Sequence, residues 1–141
     1  RAAWGYDHRG TMVRVLGGAG DAATRLENRC GEPAANPYLY CASQIISGLD
    51  GMERNLDPGP QDYEPYAAKR TMLPRTLTEA LDALARDALF RNRMGEVFID
   101  YYVKLKRSEA GRFAKYLEEN GIEDRPEEPT AWEQNEYFDF F

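Results

Sequence analysis

The chain has little of what several common chemistries require. In 141 residues it holds one histidine, His8, and two cysteines, Cys30 and Cys41. A lone loop histidine is more often structural than catalytic, and no Ser/His/Asp or Cys/His arrangement can be built around it. The cysteines lack metal-ligand spacing and read as reduced, buried thiols of a cytoplasmic protein. No apolar run approaches the roughly 18 residues of a membrane span, and no stretch has the form of a signal peptide, so no membrane partner is expected. A formal net charge of −6 weighs against a nucleic-acid partner. The sequence also lacks an initiator methionine: it enters at Arg1-Ala2-Ala3-Trp4, which reads as a piece of a longer protein with part of its site elsewhere.

What is present is unevenly distributed. Residues 1–30 carry five arginines against three acids, whereas residues 118–141 carry nine acids against one arginine. The front is suited to anions and the tail is not. Thr11-Met12-Val13-Arg14-Val15-Leu16 is rich in β-formers and predicts a strand. Gly17-Gly18-Ala19-Gly20-Asp21 turns the chain, and Thr24 to Arg29 returns as a second strand of an antiparallel hairpin. No Gly-Lys-Ser/Thr follows those glycines and no helix opens there, which excludes a phosphate loop.

The returning strand is the centre of the sequence. Strand alternation puts Arg25, Glu27 and Arg29 on one face and Leu26, Asn28 and Cys30 on the other. Two guanidiniums around a carboxylate suit a half-exposed sheet face with weak cross-strand ion pairs. That is the commoner meaning of such a triplet alone, but Arg9 and Arg14 on the preceding segment and the Asn-Pro helix start that follows favour a ligand site. Arginine forks match carboxylate and phosphate oxygens and stay charged at any working pH. Glu27 can give one oxygen to a divalent cation whose other ligands lie elsewhere. Four guanidiniums with one such carboxylate fit phosphoryl transfer, where catalysis is mainly positioning and charge neutralisation.

The remainder predicts helices. Asn36 is an N-cap with Pro37 at the first helical position. Tyr38, Ala42, Ile45, Leu49, Met52 and Leu56 then form an apolar stripe, with Gly48 and Gly51 allowing close backbone packing. Asp57-Pro58-Gly59-Pro60 stops this helix, and residues 57–75 read as a long loop. Thr76-Leu77-Thr78-Glu79 is a capping box opening a second helix with Leu77, Ala80, Leu81, Leu84 and Ala88 buried. A third helix from about Gly95 to Asn120 turns Phe98, Tyr101, Tyr102, Leu105, Phe113 and Leu117 inward, and Asn120-Gly121 ends it with a left-handed stop that Ile122 folds back upon. An acidic linker, Glu123 to Pro129, leads to a second capping box at Thr130-Ala131-Trp132-Glu133. The aromatic close, Tyr137-Phe138-Asp139-Phe140-Phe141, calls for cover from its own domain or from a neighbouring subunit.

Together these segments resemble the C-terminal portion of a glutamine synthetase catalytic domain. His8-Arg9-Gly10-Thr11-Met12-Val13-Arg14 is similar to the family's Asn-Arg-Ser-x-x-Ile-Arg segment, and Arg25-Leu26-Glu27-Asn28-Arg29 to its Arg-Ile-Glu-x-Arg motif. Asn36-Pro37-Tyr38-Leu39 and Gly48-Leu49-Asp50-Gly51-Met52 resemble its Asn-Pro-Tyr-Leu and Gly-Leu-Asp-Gly-Ile signatures. The resemblance implies an α+β fold, a short antiparallel β-hairpin followed by a mostly helical bundle. Its parts would be an active-site hairpin at 1–30, a helical part at 36–122, and a linker with a terminal helix at 123–141. It implies an ATP-dependent ligase that joins ammonia to glutamate through a γ-glutamyl phosphate, using ATP and Mg2+ (or Mn2+). Arg9 would be catalytic and face the γ-carboxyl, Arg29 would bind glutamate, Arg14 and Arg25 would hold nucleotide phosphates, and Glu27 would bind the metal. The family's other metal ligands, its ammonia-site aspartate and its flap glutamate are not in this sequence, so the isolated chain is expected to be inactive. The assembly implied is a homo-oligomer of stacked rings, a dodecamer when full length. His8 stands where the family commonly has Asn, and Tyr63 and Tyr66 lack the flanks of an adenylylated loop. These departures keep open a γ-glutamyl-amine ligase acting on a polyamine, alkylamine or aniline. A non-enzymatic assembly protein that keeps the fold is the remaining alternative.

Overall fold

A computed structural model describes residues 1–66, 69–126 and 128–138. Its elements in order are β1 (Trp4–Tyr6), β2 (Val13–Leu16), β3 (Arg25–Asn28), α1 (Pro37–Glu53), α2 (Leu77–Arg86), α3 (Ala88–Met94), α4 (Glu96–Asn120) and α5 (Ala131–Tyr137). The α+β class implied by the sequence holds. Two compact units share the chain: Arg1–Tyr40 with Gly51–Leu73, and Cys41–Asp50 with the residues from Pro74 onward.

The first unit is built on a three-stranded sheet of order β1-β2-β3. β2 and β3 form the expected antiparallel hairpin, with Arg14 opposite Glu27 and Val15 opposite Leu26. β1 was not expected, and it pairs parallel to β2. Three residues with Gly5 at their centre carry no strand signal, and pairing alone makes them one. The loop after α1 is ordered by this sheet. Asp62 N–H donates to the Trp4 carbonyl at 2.8 Å, and the Trp4 indole donates to the Gly59 carbonyl at 3.0 Å. Asp62, buried, accepts a 3.0 Å bond from Arg70. On one sheet face Val13, Val15 and Leu26 join Trp4, Pro58 and Pro60 around an apolar cleft of about 490 Å³.

The second unit centres on α4, 25 residues long. Its core is Leu81 of α2 with Ile99 and Val103 of α4, supported by Leu84, Ala85, Phe90 and Met94. The aromatic stripe expected to face inward is therefore displaced by one position. Tyr101 and Leu105 are exposed, Phe98 and Tyr102 stack on each other 6.0 Å apart, and the aliphatic pair Ile99 and Val103 takes the core. Helical periodicity admits both stripes, and only the partner helix chooses between them. The chain also breaks where none was expected: Asp87 ends α2 in an extended conformation and caps α3 by accepting from Phe90 N–H at 3.0 Å.

The caps that the sequence predicts form, with one exception. Asn36 accepts from the N–H groups of Tyr38 and Leu39, and Thr130 with Glu133 makes the full reciprocal box. At Thr76 only half the box forms, because the Glu79 carboxylate accepts from Arg75 N–H instead. Gly121, at φ 63°, closes α4 as a left-handed stop, and Ile122 N–H reaches back to the Leu117 carbonyl at 3.0 Å.

α5 docks on α4 of its own chain. Trp132 packs on Phe113 with ring centroids 5.2 Å apart, and Arg112 grips both oxygens of Glu136 while lying over the Trp132 ring. Tyr137 donates to Glu109, and burial together with that bond pushes the phenol well above its ordinary range, so it stays a donor. Residues 139–141 of the aromatic close lie outside the described residues.

The α1 stripe is uncovered within the described residues, with Tyr38 84% and Met52 71% exposed. Two further expectations are corrected. A Cβ at Gly48 or Gly51 would meet nothing within 4 Å, so no backbone of the described residues packs there. Cys30 and Cys41 are exposed, not buried, because one follows β3 into a loop and the other rides on this uncovered helix.

In urea denaturation, Leu81→Ala and Ile99→Ala are each expected to cost about 2–5 kcal/mol, whereas Thr130→Ala costs about 1 kcal/mol through its lost cap. Equal, small losses at all three would contradict this core.

Candidate active site

The turn from β1 to β2 and the facing strand β3 gather the charged side chains. Register is the first cause. Because Arg14 and Glu27 are cross-strand partners, their side chains leave the sheet on the same face. Arg29 lies just beyond β3, but its N–H still donates to the Met12 carbonyl at 2.8 Å, which continues the ladder. Its guanidinium bonds Glu27 Oε1 at 2.6 Å, while Arg14 Nη1 stands 3.6 Å from Glu27 Oε2. The carboxylate is thus flanked by Arg29, as the strand alternation predicts, and by Arg14 from the facing strand, whereas Arg25 makes no ion pair with it. The side chains of Arg14, Glu27 and Arg29 are 14%, 30% and 35% exposed, too covered for a freely solvated ion-pair row.

Arg9 sits in a turn with a dense bond pattern. His8 Nδ1 accepts from Gly10 N–H at 3.0 Å, and the buried Thr11 hydroxyl donates to the His8 carbonyl at 2.8 Å. His8 is a structural residue of this turn. Gly10 is required by close approach, since a Cβ there would come within 3.0 Å of Tyr66, His8 and Pro65 atoms. The Arg9 carbonyl accepts from Arg29 Nε at 2.8 Å, which ties this turn to the end of β3. The Arg9 guanidinium makes no hydrogen bond or ion pair among the described residues. Arg25, at the start of β3, is exposed and donates to the Ala23 carbonyl at 2.9 Å.

Electrostatics follow the geometry. The hydrogen bond from Arg29 holds the Glu27 carboxyl below its ordinary range; partial burial opposes this, and the charges of Arg14, Arg29 and Arg25 reinforce it. Glu27 is therefore an anion throughout the working range. Among the described residues no group of three or more His, Cys, Asp or Glu side chains is placed to hold a metal. Glu27 can supply one carboxylate to a cation completed by groups from elsewhere. Sequence reasoning missed Asp7, which ion-pairs with Arg14. Its only signal was position, an acidic residue two places before Arg9.

A small α+β unit that presents four arginines and one held carboxylate on and beside one hairpin is a segment suited to binding anionic groups. Comparison with known proteins makes this specific. Residues 1–124 match the family model of the glutamine synthetase catalytic domain, and the chain belongs to that family. It is 51% identical to a gamma-glutamylanilide synthase of Acinetobacter sp over 98% of its length, which is 28% of that protein. It is 35% identical to the glutamine synthetase of Pyrococcus abyssi over 96% of its length, 32% of that protein. Dog lengsin is 33% identical over 98% of the chain, 22% of that protein. The chain thus spans about a third or less of the curated relatives it matches.

Since the folded pKa of Glu27 is depressed, its ion pairs add stability above the ordinary carboxylate pKa, and that stability is lost as pH falls through the depressed value. Carbon-detected NMR of the Glu27 carboxyl should show a midpoint below the ordinary range, and Arg29→Ala should raise it. A midpoint unmoved by Arg29→Ala would refute the pairing.

Proposed function

We propose that the chain is part of an ATP-dependent ligase that joins the γ-carboxyl of glutamate to an amine. The observation that carries this is the Arg14–Glu27–Arg29 row held across β2 and β3, with Arg9 beside it. In the proposed reaction a γ-carboxylate oxygen attacks the terminal phosphorus of ATP, the bond to ADP breaks, and γ-glutamyl phosphate forms. The amine nitrogen then attacks the acyl carbon, phosphate leaves, and the nitrogen gives up a proton. Negative charge gathers at both steps, and fixed guanidiniums stabilise it without rearranging.

The roles follow position. Arg9, whose guanidinium has no partner in the described chain, is assigned to the γ-carboxyl and the phosphoryl group in transfer. Arg29 is assigned to the glutamate substrate, and Arg14 and Arg25 to the nucleotide phosphates. Glu27 offers its anionic carboxylate to Mg2+ or Mn2+, which when bound neutralises phosphate charge. In the whole protein the active-site hairpin is residues 1–30, followed by the helical part at 36–122 and the linker with its terminal helix at 123–141. The assembly proposed is a homo-oligomer of stacked rings.

For the acceptor, an aromatic amine of the aniline type is the better reading than ammonia. It is supported by the 51% identity to a gamma-glutamylanilide synthase, against 35% to a glutamine synthetase. The test is phosphate release by the full-length protein with ATP, glutamate and a panel of ammonium, putrescine, an alkylamine and aniline. Aniline should give the highest kcat/KM. Preference for ammonium would make the protein a glutamine synthetase, and no release with any amine would refute the ligase reading. Arg9→Gln is expected to lower kcat about a hundredfold, the scale of one lost transition-state donor.

A further inference from the structure

Arg14 is nearly buried, yet its guanidinium is sparsely held. Glu27 stands 3.6 Å away, beyond hydrogen-bond reach, and gives its own short bond to Arg29. The Arg14 Nε is buried and has no acceptor among the described residues. Among the described residues, the one hydrogen bond on this guanidinium is the bond from Nη2 to the Asp7 carboxylate. Without Asp7, the longer ion pair to Glu27 is what the described residues leave to orient the Arg14 fork.

Asp7 is itself fixed. It follows β1 in the left-handed region, at φ 46°, a conformation that aspartate and asparagine tolerate better than most side chains. Its N–H donates to the Val15 carbonyl at 2.9 Å, which anchors the turn to β2 at the residue after Arg14. The carboxylate is 74% exposed while its arginine partner is 14% exposed. Such an exposed acid adds little to fold stability, but it is well placed to hold a covered arginine.

We propose that Asp7 is a positioning residue for Arg14, holding the guanidinium in the orientation that receives nucleotide phosphate. This rests on the assignment of Arg14 to the nucleotide made above. Asp7 touches neither substrate nor metal; it acts through Arg14. A rotated fork loses its match to phosphate oxygens, so nucleotide binding weakens while the chemistry at the γ-carboxyl, which falls to Arg9, is largely spared.

The test uses the full-length protein with Asp7→Asn and Asp7→Gly, both of which accept the left-handed backbone and so keep the turn. Affinity for ATP with Mg2+ is read by calorimetry, KM and kcat by phosphate release, and folding by thermal melting. Both variants should weaken ATP binding and raise its KM about tenfold, the scale of one charge-assisted hydrogen bond. The melting temperature and kcat should change little. In an Arg14→Lys background the same substitutions should add nothing further. Unchanged ATP affinity in the Asp7 variants, beside a clear loss in Arg14→Lys, would overturn the proposal alone. Effects of Asp7 and Arg14 that multiply would also overturn it, since Asp7 would then act elsewhere. Unchanged affinity in Arg14→Lys would refute the nucleotide assignment and the proposal with it.

Discussion

The register between β2 and β3 is the constraint on which the candidate site depends. Side chains alternate with a period of two, so a slip of one residue would carry Glu27 to the face opposite Arg14 and break the row. The same slip would put Arg25 and Glu27 against the apolar cleft and Leu26 among the arginines. Val15 opposite Leu26 and Arg14 opposite Glu27 are thus one specification read on two faces. One register places the apolar pair on one face and the charge chemistry on the other. The Arg29 N–H to Met12 bond extends the ladder one step beyond the strand, which is why a residue outside β3 still shares its face.

Arginine rows are stable only when their repulsion is offset. Here the offset is local, since Glu27 lies within 4 Å of Arg14 and Arg29, and Asp7 meets Arg14 from the preceding turn. The depressed pKa of Glu27 expresses the same balance: its proton is displaced by the guanidinium that bonds it. Arg9 and Arg25 have no carboxylate of their own in the described chain and lie at the exposed margin. The row is therefore graded, with covered, paired arginines at its centre and available ones at its ends. That grading suits a surface on which an anion enters from the margin and meets fixed charge inside.

Much of this was legible because it is written in local rules. Alternation placed Arg25, Glu27 and Arg29 on one face, and the caps at Asn36 and Thr130 and the Gly121 stop were readable from three or four residues each. What escaped depends on partners distant in sequence. β1 is a strand only because β2 lies beside it, and Asp7 matters only because that pairing brings it to Arg14. On α4 the aromatic stripe outweighed the aliphatic one on paper, whereas Leu81 selected Ile99 and Val103. The apolar face of α1 was identified correctly as a stripe, but the close backbone packing expected at Gly48 and Gly51 is not found among the described residues. Periodicity reports which face is apolar, not what covers it.

The charge row also explains why reaction class and acceptor are separable questions. Guanidiniums and a carboxylate recognise phosphate and carboxyl oxygens, groups common to every reaction that activates glutamate with ATP. None of Arg9, Arg14, Arg25, Glu27 or Arg29 carries an apolar surface or aromatic face that would tell aniline from ammonia. Discrimination between those two acceptors is a matter of a nonpolar ring, roughly six carbons that need desolvation and shape rather than charge. Relatives named for an anilide and for glutamine therefore both fall within one family over this same segment, and a row of fixed charge is what such enzymes would be expected to share.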